Sequence, residues 1–323
     1  MQNTTTLTRR TLVAGLAGSL ALPALAQFDK PVRFILPNAS GSGVDAIARA
    51  SQNALAKAFS HPVLIDNQPG AGGIVGLQAL ARAPADGQTL GIVSNNVVIF
   101  PSVLKSVPFD MPGDFTPIAV VGFTPVVLVV NAKVPAKDAK EFIALLKARN
   151  GDMLYASGGN GTILHLATAM FLDEAKVSAR HIPYKGVGPM LTDLIGGQVD
   201  FATAALPSVQ GHLKSGSLRA IGMATAQRAV AAPEIPTFVE QGLPGYVVEA
   251  WFAVIGPRGL SGADVQRIHA AIVTTYDDAE VKEAMARQGN IISVGAADKA
   301  MPFFRSELAK YAALVKKAGV EAQ

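Results

Sequence analysis

The stretch Val32-Arg33-Phe34-Ile35-Leu36-Pro37-Asn38-Ala39-Ser40-Gly41-Ser42-Gly43-Val44-Asp45 decides how this chain is read. A short apolar run stops at a proline, small residues follow, and from Asp45 to Phe59 the residues Ile47, Ala54, Leu55 and Ala58 recur at helical spacing. Strand, turn and helix therefore follow one another without a gap. Glycines let several backbone N–H groups face one point, and the N-terminus of the helix adds a field that favours an anion. The loop reads as an anion cradle, although a strand-to-helix turn uses Ser and Gly for its own sake. The same arrangement returns at Tyr155-Ala156-Ser157-Gly158-Gly159-Asn160-Gly161-Thr162-Ile163-Leu164-His165.

Working outward, further apolar runs lie at Val63-Leu64-Ile65, Thr89–Val93, Ile118–Val121, Val126–Val130, His181-Ile182, Val199–Thr203, Leu218–Met223 and Ala253-Val254-Ile255. Between them come helical patterns such as Phe142/Leu145/Leu146/Arg149 and Ile163/Leu166/Ala167/Met170/Phe171. This alternation predicts an α/β protein with parallel sheets covered by helices on both faces. Roughly ten strands suit two sheets of about five, hence two lobes. Pro108–Pro125 and Pro233–Gly245 are the candidate crossings between them. The helix carrying Phe304, Leu308, Tyr311 and Val315 on one face is expected to return and cover the first lobe. Two cradles in two lobes could face each other across a cleft, since ligands of open α/β sheets bind beyond the carboxyl ends of the strands.

Residues 1–26 read as a secretory signal: Arg9-Arg10 precede an apolar run from Leu12 to Leu25 that closes on Ala24-Leu25-Ala26. Thr8-Arg9-Arg10-Thr11-Leu12-Val13 resembles the twin-arginine export motif. The run is too short to span a bilayer, so a soluble exported protein without membrane insertion is expected. Removing the segment takes away two arginines, leaving 26 Lys+Arg from 28 against 24 Asp+Glu. That balance provides no basic stripe for nucleic acid. Aromatic residues are only 6% of the chain, which leaves little to build a base-stacking surface. With no cysteine there is neither a thiolate nucleophile nor an acylated anchor.

Several enzyme readings can be weighed against the cradle. Gly41-x-Gly43-x-x-Ala46 with Asp66 some twenty residues on satisfies a dinucleotide fingerprint. However, Pro37 to Ser40 separate strand from glycine, and export removes the protein from the nicotinamide pool. No Gly-x-Ser-x-Gly elbow occurs, and Ser157 would need His and Asp partners that sequence does not place. The five histidines (His61, His165, His181, His212, His269) show no metal-binding spacing, so no metal and no cofactor are expected.

In sequence order, Ile35–Asp45, Asp66–Gly73, Ala85–Leu90, Val107–Asp110, Asp114–Ile118, Tyr155–Gly161, His181–Gly186, Asp193–Asp200, Leu206-Pro207-Ser208 and Gly242–Tyr246 resemble the Bordetella uptake gene (Bug) family, the extracytoplasmic receptors of tripartite tricarboxylate transporters. The resemblance implies a type II periplasmic-binding-protein fold, two α/β lobes with a hinge and a ligand cleft. The first lobe would comprise residues 27–124 and 251–323, the second 125–250. It implies a monomeric receptor that catalyses nothing and passes a small organic carboxylate to membrane permease subunits. A sensor module for a membrane kinase would use the same fold. Carried over by position, the contacts come from Asn38, Ala39, Ser40, Gly41, Ser42, Gly43, Val44 and Asp45. Others are Ser94, Asn95 and Asn96, then Ser157, Gly158, Asn160, Gly161 and Thr162 with His165, the corner Tyr184, Lys185 and Gly186, and Ala204. Two positions depart from the family. Val44 stands where a Thr is frequent, and Ala204-Ala205 stand where an Asp or Asn is frequent. Both make the pocket more apolar, which favours a dicarboxylate with an apolar or aromatic middle, or a monocarboxylate, over an amino acid.

Overall fold

The computed structural model describes residues 30–318 and 320, so the signal reading of residues 1–26 lies outside the described residues. The first apolar run forms β1 (Val32–Leu36) and the helix after it α1 (Gly43–Phe59). Ser42 starts α1 by accepting a hydrogen bond from the Asp45 amide, and Ser60 stops it in the left-handed conformation. β2 (Val63–Asn67), α2 (Ile74–Ala81), β3 (Thr89–Ser94) and α3 (Asn96–Val103) follow, then β4 (Phe115–Thr124).

The chain leaves this sheet at Pro125 and enters β5 (Val126–Asn131). Val126 to Val130 are all wholly buried, which is why this run is apolar throughout rather than alternating. α4 (Ala139–Arg149), β6 (Leu154–Ser157), α5 (Ile163–Ala175), β7 (Arg180–Pro183), α6 (Val187–Gly196), β8 (Phe201–Ala205), α7 (Leu206–Lys214) and β9 (Leu218–Met223) complete the second lobe. β10 (Ala250–Pro257) then returns to the first sheet, followed by α8 (Gly262–Asp277), α9 (Ala279–Gln288), the short β11 (Ile291–Ile292) and α10 (Ala297–Lys317).

The sheets run β11-β4-β10-β3-β1-β2 and β7-β6-β8-β5-β9. Leaving aside β11, both repeat one order: second strand, first, third, the returning strand, then the fourth. The expectation of wholly parallel sheets is corrected here. β10 pairs antiparallel with β3 and β4, and β5 pairs antiparallel with β8 and β9. A strand arriving from the other lobe enters from the opposite end, so each crossing plants one reversed strand in the middle of a sheet. The sheets hold six and five strands.

Pro233–Gly245 stays with the second lobe, because the Phe238 amide bonds to Met223 O (2.9 Å) and the Phe238 and Tyr246 rings pack on Phe171. The second passage between sheets falls after Val248, with Ala250 already in β10. α10 lies against α3 and β4, burying Phe304, Tyr311 and Val315.

Candidate functional site: a cleft cavity with two helix N-termini

Between the carboxyl ends of the two sets of strands lies a cavity in which about 80 Å³ is open to the centre of a water molecule. That is room for a few waters or one small organic molecule. Its wall is shared by the lobes. The first contributes Asn38, Ala39, Ser42, Gly43, Val44, Ser94 and Asn96, and the second Gly158, Thr162, Lys185 and Gly186.

The two helix starts are built alike. At α1, Ser42 Oγ takes the Asp45 amide (3.2 Å), and the Ala46 amide makes the first intrahelical bond to Ser42 O (3.0 Å). The Gly43 and Val44 amides are the helix's orphan donors, and both residues stand on the cavity wall. At α5, Thr162 Oγ1 takes the His165 amide (3.3 Å). The Ile163 amide is held by Asn96 Oδ1 from the other lobe (2.8 Å), which leaves the Leu164 amide as the open donor. Lys185 is the only charged residue on the wall among the described residues. Two partial positive helix ends and an ammonium, with no carboxylate opposing them, make the cavity's field attractive to an anion.

The remaining wall is apolar or small: Val126, Ile163, Leu164, Val187, Ala205, Ala250, Trp251 and Phe252, with Pro37, Pro69, Gly70, Gly72, Gly73, Thr124 and Ser208. Asn38 Oδ1 and Ser208 Oγ are buried and make no hydrogen bond among the described residues.

Other residues singled out from the sequence stand behind the wall. Asp45 accepts from the Gly41 amide, Arg49 Nε and Asn67 Nδ2, each at 2.9 Å, and so fastens the loop from inside. Burial alone would raise its pKa, but the bonds from Arg49, Gly41 and Asn67 hold it below the usual carboxylate value. Ser40 and Gly41 are exposed. Asn95 is turned into the protein, away from the cleft. The Gly161 amide is spent on His165 Nδ1 (3.3 Å), so it is no free donor for an anion. Asn160 lies against Gly72 of the other lobe, and Tyr184 donates to Asp193 (2.7 Å). Ala204 faces the second lobe's core, leaving its neighbour Ala205 to meet the cavity.

Ser157 does lie 2.7 Å from His181 Nε2, a spacing a nucleophile and its base could have. The hydroxyl is wholly buried and bonded to both the carbonyl and the amide of Gly159, and His181 stacks on His165 (4.0 Å between ring centres). This group supports the loop from below. Asp66, the acid of the dinucleotide reading, is occupied by Arg33 Nε (2.7 Å) and Gln68 (2.9 Å). Among the described residues no cluster of three or more metal-ligating side chains occurs, and no helix is long and apolar enough to cross a membrane.

Two α/β lobes of matching strand order, two passages between them and a cavity at their facing strand ends define a periplasmic-binding-protein fold of type II. Residues 47–320 match the model of the tripartite tricarboxylate transporter family receptor. BugT of Bordetella pertussis is 33% identical over 294 residues, covering 90% of each chain. The chain belongs to this receptor family. The solved periplasmic binding protein BugD is 27% identical with a TM-score of 0.87, over 91% of this chain and 99% of its own. An R. palustris protein solved with adipate has the same identity, 27%, and the same TM-score, 0.87, over 91% of this chain and 98% of its own.

Proposed function

We propose that the protein is a monomeric periplasmic receptor that captures a small carboxylate between its lobes and delivers it to the permease of a tripartite tricarboxylate transporter, performing no chemistry on it. One observation carries this reading: the cavity wall holds two helix N-termini with open amides and Lys185, and no acidic side chain. A carboxylate bridging the α1 and α5 ends gains contacts from both lobes at once. Such contacts exist only when the lobes are together, so the ligand favours the closed state by that difference.

The apolar wall narrows the ligand further. An amino acid's ammonium would meet no carboxylate here, whereas Val44, Val126, Ala205, Trp251 and Phe252 suit a hydrocarbon middle. Leaving a buried polar group without a partner costs ~1–3 kcal/mol, which tells against a ligand polar along its whole length. Adipate, the compound solved with the R. palustris relative, has the favoured chemistry: two acid ends and four methylenes. Calorimetry is expected to show adipate binding at about micromolar affinity, roughly 8 kcal/mol, and malate and aspartate binding far more weakly. Micromolar aspartate or glutamate with no response to adipate or to aromatic acids would overturn the ligand class.

A further inference from the structure

The second passage between the lobes, at Glu249, is gripped together with the start of β10 by a helix that never reaches the cavity. Asn95 sits wholly buried beside it. Its Oδ1 accepts from the Trp251 amide (2.8 Å), while its Nδ2 donates to Glu249 O (2.9 Å) and to Tyr311 Oη of α10 (2.5 Å). The Tyr311 hydroxyl donates in turn to Glu249 O (3.2 Å). One turn earlier, the buried Glu307 accepts from Trp251 Nε1 (2.7 Å) and from Lys310 Nζ (3.2 Å). Phe303 and Phe304 pack on the Trp251 ring at 5.4 and 5.2 Å between centres. The indole N–H is thereby drawn toward α10, and Trp251 is at the same time one of the residues of the cavity wall.

The first passage is held more lightly, with Thr124 Oγ1 donating to Asn290 (2.9 Å) and the Leu206 amide to Pro125 O (2.9 Å). A clamp must bend where its lobes are joined, and a segment fastened at a backbone carbonyl, a backbone amide and an indole is poor at bending. We propose that Tyr311 and Glu307 of α10 are positioning residues of the clamp, fixing the second passage to the first lobe and holding Trp251 as a wall of the cavity. The effect on affinity rests on the receptor reading above; the effect on lobe geometry does not.

The chain has no cysteine, so spin labels can be placed cleanly at Val75→Cys in the first lobe and Thr192→Cys in the second, both exposed. Without ligand, Tyr311→Phe is expected to broaden the distribution of distances between the labels. Glu307→Leu is expected to do the same and to shift the emission of Trp251, the chain's one tryptophan. Glu307→Gln, which keeps an acceptor for the indole, restores both readings. Adipate affinity should fall about three- to fivefold in Tyr311→Phe, the net worth of about one hydrogen bond, mainly through faster release. Should Glu307→Leu fail to fold, Tyr311→Phe decides alone, since it removes a single hydroxyl. Folded variants whose distances and emission match the parent overturn the proposal. Failure of the parent to bind adipate bears on the ligand reading, and the distance measurement still decides the role of α10.

Discussion

Gly43→Val is expected to weaken ligand binding at least tenfold, about 1.4 kcal/mol, while the protein still folds. Gly43 is the first residue of α1 and its backbone lies outside the left-handed region, so a side chain brings no strain of its own. The obstacle lies across the cleft: a Cβ there would stand 2.8 Å from Ala205 Cβ and 3.8 Å from Thr124 Cγ2. Ala205 belongs to the second lobe, so the clash arises only as the lobes meet. Valine's two methyls worsen it and crowd an open amide of the cradle. Calorimetry with adipate reads the loss, and the melting temperature of the ligand-free variant should stay near that of the parent. Parental affinity would remove this helix end from the site.

Gly161→Val invites the same expectation from sequence, since both glycines lie in matching loops. The structure separates them. Gly161 has φ +73°, so a side chain there strains the loop whether or not a ligand is bound, and a Cβ would in addition meet Val103 Cγ2 of the first lobe at 2.3 Å. Its effect cannot be confined to binding, and Gly43 is the cleaner probe.

Acid is expected to loosen the second cradle and cost stability on the order of a few kcal/mol, carried mainly by His165 because solvent screens the less buried His181. His165 is buried behind the loop with its pKa pushed down by desolvation to about 4. His181, stacked on it, is pushed down to about 3 by desolvation and by the neighbouring His165. An exposed histidine in the unfolded chain titrates near 6.5. Between these values the unfolded chain binds more protons than the folded one, so stability rises with pH. It is fully present above about 6.5 and is lost as pH falls toward 4 and then 3. Geometry gives the same sign. His165 Nδ1 accepts from the Gly161 amide and must be unprotonated to do so, and two charged rings could not stay stacked at 4.0 Å. Denaturant unfolding between pH 7 and 4 should show a steep decline that His165→Leu/His181→Phe largely flattens. An equal slope in that double variant would show that the decline comes from other groups.

The alternating architecture was legible because strand and helix periods differ and each helix start carries its own cap, Ser42 at α1 and Thr162 at α5. The antiparallel strands β5 and β10 were not, since a fully buried strand reads the same in either direction. Within the site, glycine-rich turns pointed to Gly43, Gly158 and Gly186. Ala205, the last residue of β8, was placed at the pocket through the resemblance, whereas Ser208 just beyond it was missed as a wall residue, as were Gly70, Gly72 and Gly73 although they follow β2. Applying the strand-end rule to every strand would have found both. Asn95 misled for a different reason. Its partners Glu249, Trp251 and Tyr311 lie 154 to 216 residues away, and nothing local distinguishes a polar residue turned inward from one facing the cleft.

A crystal structure of the adipate complex tests the shared grip most directly. One carboxylate should lie about 2.7–3.1 Å from the Gly43 or Val44 amide, with groups of the second lobe, the Leu164 amide among them, completing its shell. Adipate bound by one lobe alone, or seated outside the cleft, would contradict it.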